Sequence, residues 1–511
     1  MGALRVNDEE FGWLVSRLET QAANAPQAFR LKVFLISIAG YVFLAAMLLL
    51  VVVVLAWAAM HAHEPGMMRT AVFAGLLALM TLPIFWVTLR TLFTRWPAPT
   101  GRVLTRAEAP VLFDMLDKMR AKLAGPPIHH VLIDDDYNAC IVQRPRWGLV
   151  GPSVNYLVLG LPFMVSMGTS EMLSVIGHEY GHLCGAHGRA TGWIYRQRRI
   201  FEQVATRIDD DAGSTIWHAA MNKAMQAFAP YFYGYTFVLG RQMEYEADRA
   251  GAGVTNAQAA ASGLIRSELL GDWLHQDFWP TLYRQADTRE QPTILPYQAM
   301  AIAFRMSHDE WATPARLRSA WKQVSGVADT HPCLRDRVEA LGQQPALPAQ
   351  LQRSAATALL GPLGERLAAD FDHAWWQSES KAWGERHRHV TRSQMRLREL
   401  TSQPMSTMQP HELQELARLK SEFESNQAAK PVLEHLLHRQ GGPFPLASYV
   451  YGQILLDEHN RDGLDYLATA AKHDRRLADQ ALNIGITYLL EQHGEERAQK
   501  WADSVLEAVP G

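Results

Sequence analysis

The chain has 511 residues, of which 48% are hydrophobic and 20% charged, with 49 Lys and Arg against 52 Asp and Glu and a formal net charge of −3. That length accommodates more than one domain, and the balanced charge offers no basic footprint, so no nucleic-acid partner is expected. Cys140, Cys184 and Cys333 are few and odd in number, which fits a reducing compartment rather than a disulfide framework.

In chain order, Asn7 to Ala22 reads as a short amphipathic helix, with Asn7 as cap, Glu10 three residues on, and Phe11, Leu14 and Leu18 along one stripe. Residues 1–29 form this first unit. Residues 30–96 read as a transmembrane helical hairpin. Val33 to Met60 carries no charge, and at about 1.5 Å per residue it exceeds the ~30 Å hydrocarbon core. Thr70 to Leu89 is a second uncharged run, and the connection between the two is too short for a domain. Arg17, Arg30 and Lys32 precede the first run and Arg90, Arg95, Arg102 and Arg106 follow the second, whereas the loop holds only Arg69. The positive flanks place both termini in the cytoplasm, with the lipid bilayer, in all expectation a bacterial inner membrane, as a partner.

Residues 97–344 read as a mixed α+β domain: a helix through Met119, then short strands near Val131, Ile141 and Leu157 forming a small sheet. An edge strand from Asn138 to Val142 could accept an extended polypeptide by strand addition, which makes Asn138 and Ala139 candidate substrate contacts. A helix follows, entered through Thr169 or Ser170 and carrying His178-Glu179-Tyr180-Gly181-His182. Histidines four apart lie on one helical face and can share a zinc ion, with Glu179 placed to take a proton from the attacking water. Gly177, Gly181 and Gly185 lie four apart on the same helix, at a cost of about 1 kcal/mol each, which points to close approach of another backbone or of substrate.

A hydrolytic zinc site needs a third protein ligand. His187 lies one residue short of the metzincin spacing, and Cys184 points away from the ligand face. The best candidate is Glu244, in Arg241-Gln242-Met243-Glu244-Tyr245-Glu246-Ala247-Asp248-Arg249. There Glu244 can ligate and Asp248, one turn on, can hydrogen-bond a ligand histidine; the competing reading is a solvated acidic stretch. Ala224 to Gly240, an uncharged run containing Pro230, is a borderline span. A single crossing there would part Glu244 from His178 by ~30 Å, so it is expected to be a buried or interfacial helix.

His178 to His182 followed by Glu244-Tyr245-Glu246-Ala247-Asp248 resembles the M48 metallopeptidases, the group of HtpX-type membrane proteases, CAAX prenyl proteases and BepA-type enzymes. Tyr137-Asn138-Ala139, Leu157-Val158-Leu159-Gly160 and His331-Pro332 with Arg337 agree with it, and the resemblance runs from about Leu104 to Leu341. It implies a zincin-like domain, with one zinc on His178, His182 and Glu244, Glu179 as catalytic base and Asp248 orienting a ligand. It further implies His331 and Arg337 near the substrate or transition-state oxygen, and a polypeptide substrate.

Residues 345–511, after Pro345-Ala346-Leu347-Pro348, read as an all-helical domain. Tyr449-x-x-Gly452-x-x-Leu455-Leu456 recurs as Leu482-x-x-Gly485-x-x-Tyr488-Leu489, resembling tetratricopeptide or Sel1-type hairpins that bind protein partners; an ordinary helical bundle is the alternative reading of two copies. Trp375, Trp376 and Trp383 are expected mainly in the core. The whole reads as a mainly helical α+β, membrane-anchored zinc endopeptidase serving protein quality control. The rivals are an intramembrane protease, disfavoured by hydrophilic flanks around the motif, and a non-catalytic adaptor with a structural zinc site.

Overall fold

The computed structural model describes residues 8–61, 64, 66–80, 97–147, 150–184, 216–325 and 331–508. His187, Gly185 and the second half of the expected second span lie outside these residues. The chain divides into two compact units, one of residues 1–282 and 294–377, the other of 283–293 and 378–511. The Pro345 to Pro348 segment, expected at a boundary, lies inside the first unit.

Four strands form one sheet in the order β1-β2-β4-β3: Arg102–Leu104, His130–Asp134, Val150–Gly160 and Ala139–Trp147. β2 and β4 are parallel, with Val131 opposite Leu157 and Ile133 opposite Leu159, all four buried. A central parallel pair covered on both faces takes such continuous apolar runs. β3 is antiparallel to β4 and is an edge strand, with Ala139 opposite Leu159 and Ile141 opposite Leu157. β1 was not anticipated, because three residues with only Leu104 buried carry no periodic signal.

The motif helix spans Thr169–Gly181. Its N-cap is Gly168 rather than Thr169 or Ser170. Glu171 reaches back so that its Oε2 accepts the Gly168 N–H at 2.7 Å, the carboxylate half of a capping box. The helix ends at Gly181, with His182 as a cap whose backbone is still right-handed helical, so the apolar pattern through Ala186 overstates its length. Beneath it runs Ile216–Val254, a helix of 39 residues. The stretch from Ala224 to Gly240 lies within it, and Phe232, Tyr233, Tyr235, Phe237 and Val238 are buried.

What buries them is the N-terminal helix, Asp8–Asn24. Phe11, Val15, Leu18 and Ala22 form its buried stripe, with Phe11 edge-on to Phe237 at 6.3 Å. Glu19 accepts from Arg241 Nη1 at 2.7 Å. The next helix, Pro26–His61, adds Phe29 stacked on Tyr235 at 5.5 Å and an Arg30–Glu246 ion pair. It packs against Met68–Met80, and Leu35, Val42, Leu49, Val53, Phe73 and Leu76 are exposed along the two. Among the described residues no helix is long and apolar enough to cross a membrane; residues 81–96 and several side chains in the middle of 33–60 fall outside them.

The second unit is helical. Pro410–Phe423, Asn426–Leu437, Pro445–Asp457, Gly463–His473, Arg475–His493 and Glu495–Ala508 pack as successive neighbours. The two repeated segments fall on the third and fifth of these. A Cβ on Gly452 would lie 2.8 Å from the Gly463 carbonyl oxygen, and one on Gly485 2.2 Å from the Trp501 ring, so each repeated glycine admits the helix that follows it. Trp383 of this unit and Trp375 of the first are buried, and Trp376 is half-buried.

Candidate metal centre

The motif helix and Ile216–Val254 meet along a seam of small residues. A Cβ on Gly177 would lie 2.8 Å from Val254 Cγ2 and 3.0 Å from Gly251 Cα, and one on Gly181 2.9 Å from Ala250 Cβ. The expected close approach of a backbone is therefore at these two positions, and the backbone is the one that carries Glu244 and Asp248.

The seam brings three ligand atoms together. His178 Nε2 and His182 Nε2 are 3.2 Å apart, His178 Nε2 is 3.6 Å from Glu244 Oε2, and His182 Nε2 is 3.5 Å from Glu244 Oε1. Zinc bonds of about 2.0–2.1 Å at the tetrahedral angle put ligand atoms about 3.3 Å apart, so this triangle has the size of one face of a zinc tetrahedron. His178, His182 and Glu244 are the group of possible metal ligands found among the described residues. Glu244 is buried, its Oε2 is among the buried atoms without a hydrogen-bond partner, and His331 Nδ1 lies 3.0 Å from it as an ion-pair neighbour. An orphaned buried carboxylate oxygen facing two imidazole nitrogens fits a zinc ion.

Asp248 fixes the first ligand. Its Oδ1 lies 2.8 Å from His178 Nδ1, so the Nδ1–H is donated to the carboxylate and the Nε2 lone pair is left for the ion. Asp248 is itself held by Arg337, which donates from Nε to Oδ2 at 2.9 Å and from Nη2 to Oδ1 at 2.7 Å. Arg337, expected near the substrate oxygen, has these two donors on Asp248, and its Nη2 is 4.0 Å from Glu244.

Burial raises the Asp248 pKa, but Arg337 and His178 outweigh it and hold the carboxyl at about 2. Burial and the neighbouring His178 press His182 down to about 4, which keeps its imidazole neutral, as a ligand must be. For Glu244 burial pushes upward, and His331, His178 and His182 together bring it below the usual carboxylate value. Glu179, with Oε1 3.9 Å from His178 Nε2, is raised by burial, while His178 and the Ile141 amide of β3 pull the other way. A buried carboxylate with a raised pKa beside a metal site is suited to taking a proton. His331 is mostly exposed, and its pairing with Glu244 raises its pKa.

Asn138, Ala139, His178, Glu179, His331 and Arg337 all line one cavity of about 200 Å³. The structure thus gathers every anticipated site residue except Glu244 and His182 along that cavity, and those two adjoin it through the ligand triangle.

One supporting pair escaped the sequence. Arg266 donates from Nε to Glu171 Oε2 at 2.8 Å and from Nη2 to the Ala349 carbonyl at 2.7 Å, and Ser262 donates to the other Glu171 oxygen. The cap of the motif helix is therefore locked by the neighbouring helix Ala257–Trp273. A glutamate three residues past a cap was the only local signal.

Residues 154–344 match the family model Peptidase family M48. No curated protein matches the chain. The matched stretch holds His178, Glu179, His182, Glu244, Asp248, His331 and Arg337, and it supports a metallopeptidase of that family, whose members use zinc.

Proposed function

We propose that this chain is a zinc-dependent endopeptidase tethered to a bacterial inner membrane, with its catalytic face in the cytoplasm and membrane or misfolded polypeptides as substrates. The observation that carries the hydrolytic reading is Glu179 beside the triangle of His178, His182 and Glu244, with the edge of β3 next to it. Zinc held there would polarise a scissile carbonyl and offset its developing negative charge.

The residues do the rest. Asp248, steadied by Arg337, keeps His178 in the ligating tautomer. Glu179 takes a proton from the attacking water and hands it to the leaving amine, and its raised pKa makes it the stronger base. An extended polypeptide lies along β3 past Asn138 and Ala139, so its main chain is recognised and its side chains vary. His331, exposed at the rim, donates to the substrate oxygen.

Membrane tethering is supported by the exposed apolar side chains along Pro26–His61 and Met68–Met80 and by the basic flanks of the two runs. The paired helices of the second unit are proposed as a tetratricopeptide-like surface for a protein partner. The test compares the purified protein with Glu179→Gln for zinc content and casein cleavage. Both should bind zinc and only the parent should cleave. Zinc in both with cleavage by neither would favour an adaptor with a structural zinc site.

A further inference from the structure

A second cavity of the first unit is larger than the catalytic one. It has a volume of about 310 Å³ and opens on another face of helix Ala257–Trp273. Ala260, Gly263, Leu264 and Ser267 face the catalytic cavity, whereas Arg266 and Leu270 face this one. We infer that it is a second ligand site, which takes the C-terminal carboxylate of a peptide ending in an apolar residue.

Three observations carry this. The first is charge: Arg266, Arg305 and Arg353 line the cavity and no Asp or Glu does. Glu171 neutralises Arg266, but Arg305 and Arg353 have no carboxylate partner among the described residues. The second is a held guanidinium at the cavity wall. Arg266 is 2% exposed, its Nε and Nη2 are engaged by Glu171 and Ala349, and no hydrogen bond from its Nη1 is found among the described residues. The third is the apolar floor, with Leu270, Phe304 and Trp311 buried and the Arg266 guanidinium 5.5 Å over the Trp311 ring.

Guanidinium groups around an apolar floor select a carboxylate attached to an apolar body. The volume suits one or two amino-acid residues better than a pair of acyl chains, and the segment Gln350 to Ser354, without regular structure along most of its length, adds Gln350, Gln352 and Ser354 as polar contacts. The choice of a peptide over another amphiphilic carboxylate rests on the peptidase reading; the site itself does not. Because Arg266 holds Glu171, which caps the motif helix, an occupant here touches the support of the catalytic helix.

The test uses the full chain loaded with zinc and carrying Glu179→Gln, so that the probe survives. A fluorescent tripeptide ending in Leu-Phe with a free carboxylate is titrated and followed by anisotropy, beside the same peptide amidated and beside decanoate as a displacer. Loss of one charge-assisted hydrogen-bonding group should weaken binding about ten-fold or more, so the amide should bind at least that much more weakly. Arg305→Ala with Arg353→Ala should abolish the preference while leaving the melting temperature near that of the parent, since both side chains are exposed. Equal binding of acid and amide overturns the proposal. A preference that survives the double substitution shows that Arg305 and Arg353 do not select the carboxylate and also overturns it. Displacement by decanoate as strong as by unlabelled peptide replaces the peptide with a fatty-acid-like ligand. Casein cleavage by the chain with Glu179 intact reads the peptidase proposal separately, so failure of either is distinguishable.

Discussion

Gly251 and Gly253 sit two residues apart near the end of the same helix and should respond to alanine with opposite signs. A Cβ at Gly251 would lie 2.4 Å from the Ser174 carbonyl oxygen and 3.2 Å from the His178 amide nitrogen, backbone atoms that no rotamer change can move. Ordinary contact begins at 3.4 Å, so the motif helix must retreat by about 1 Å. Overpacking of that kind costs roughly 1–3 kcal/mol, of which up to about 1 is returned by helix propensity. A retreat of that size would stretch the 2.8 Å contact between His178 and Asp248 beyond hydrogen-bonding distance and open the ligand triangle. Zinc affinity should then fall about 10- to 100-fold, as when a ligand loses its orienting partner. At Gly253 nothing lies within 4 Å, and Gly253→Ala should stabilise by about 0.4–1 kcal/mol without touching zinc. Thermal unfolding of the apo chains and zinc competition against a chelator measure the two effects. If Gly251→Ala binds zinc and melts as the parent does, close helix packing is not what sets the site.

Glu179→Gln should keep zinc and lose about 10²- to 10⁴-fold in turnover of a peptide substrate; a comparable loss of zinc would mean that Glu179 is a ligand. Arg337→Met should weaken zinc binding about 10- to 100-fold by freeing Asp248, and a defect confined to turnover with zinc affinity intact would return Arg337 to the substrate oxygen. Arg266→Met leaves Glu171 without its buried cation and should cost about 3–5 kcal/mol in denaturant unfolding, whereas an unchanged midpoint would show that Ser262 and the Gly168 amide suffice. Asp134 is raised to about 6, chiefly by burial. A carboxyl whose folded pKa is raised contributes stability below its unfolded value near 4 and loses it as pH rises through about 6. Asp134→Asn should therefore melt higher than the parent at pH 7.5 and no higher at pH 3.5, and equal melting at both would refute the shift.

Much of the site was legible because its parts are local. His178 with His182, and Glu244 with Asp248, are each one helical turn apart, so periodicity alone puts each pair on a face. The glycines at 177 and 181 announced a close neighbour, though not which one. The partners of those pairs were not legible, since 70 residues separate His178 from Asp248 and 95 separate Glu171 from Arg266. No periodic pattern encodes such pairings. The same limit hid the clamp of Arg337 on Asp248, the order of strands in the sheet and the three-residue β1. The end of the motif helix at Gly181 was not legible either, because Leu183 continued the apolar stripe past it.

The apolar run from Ala224 to Gly240 posed a choice between a membrane span and a coherent zinc site, and the packing explains why it can be apolar without spanning. Its aromatic residues are covered by Asp8–Asn24 and by the start of Pro26–His61. Charge fixes the register of that cover, with Glu19 on Arg241 and Arg30 on Glu246, three residues before and two after Glu244. The helix proposed to enter the bilayer is thus ion-paired to the helix that supplies the third ligand. Exposed ion pairs contribute little, but these two are partly buried and flank an aromatic contact, so they act together with it. Removing residues 1–32 would uncover Phe232, Tyr235 and Phe237 beside Glu244. A chain released from its tether in this way should lose zinc affinity as well as solubility, whereas cleavage after Lys32 with the first helix still bound should leave zinc affinity intact.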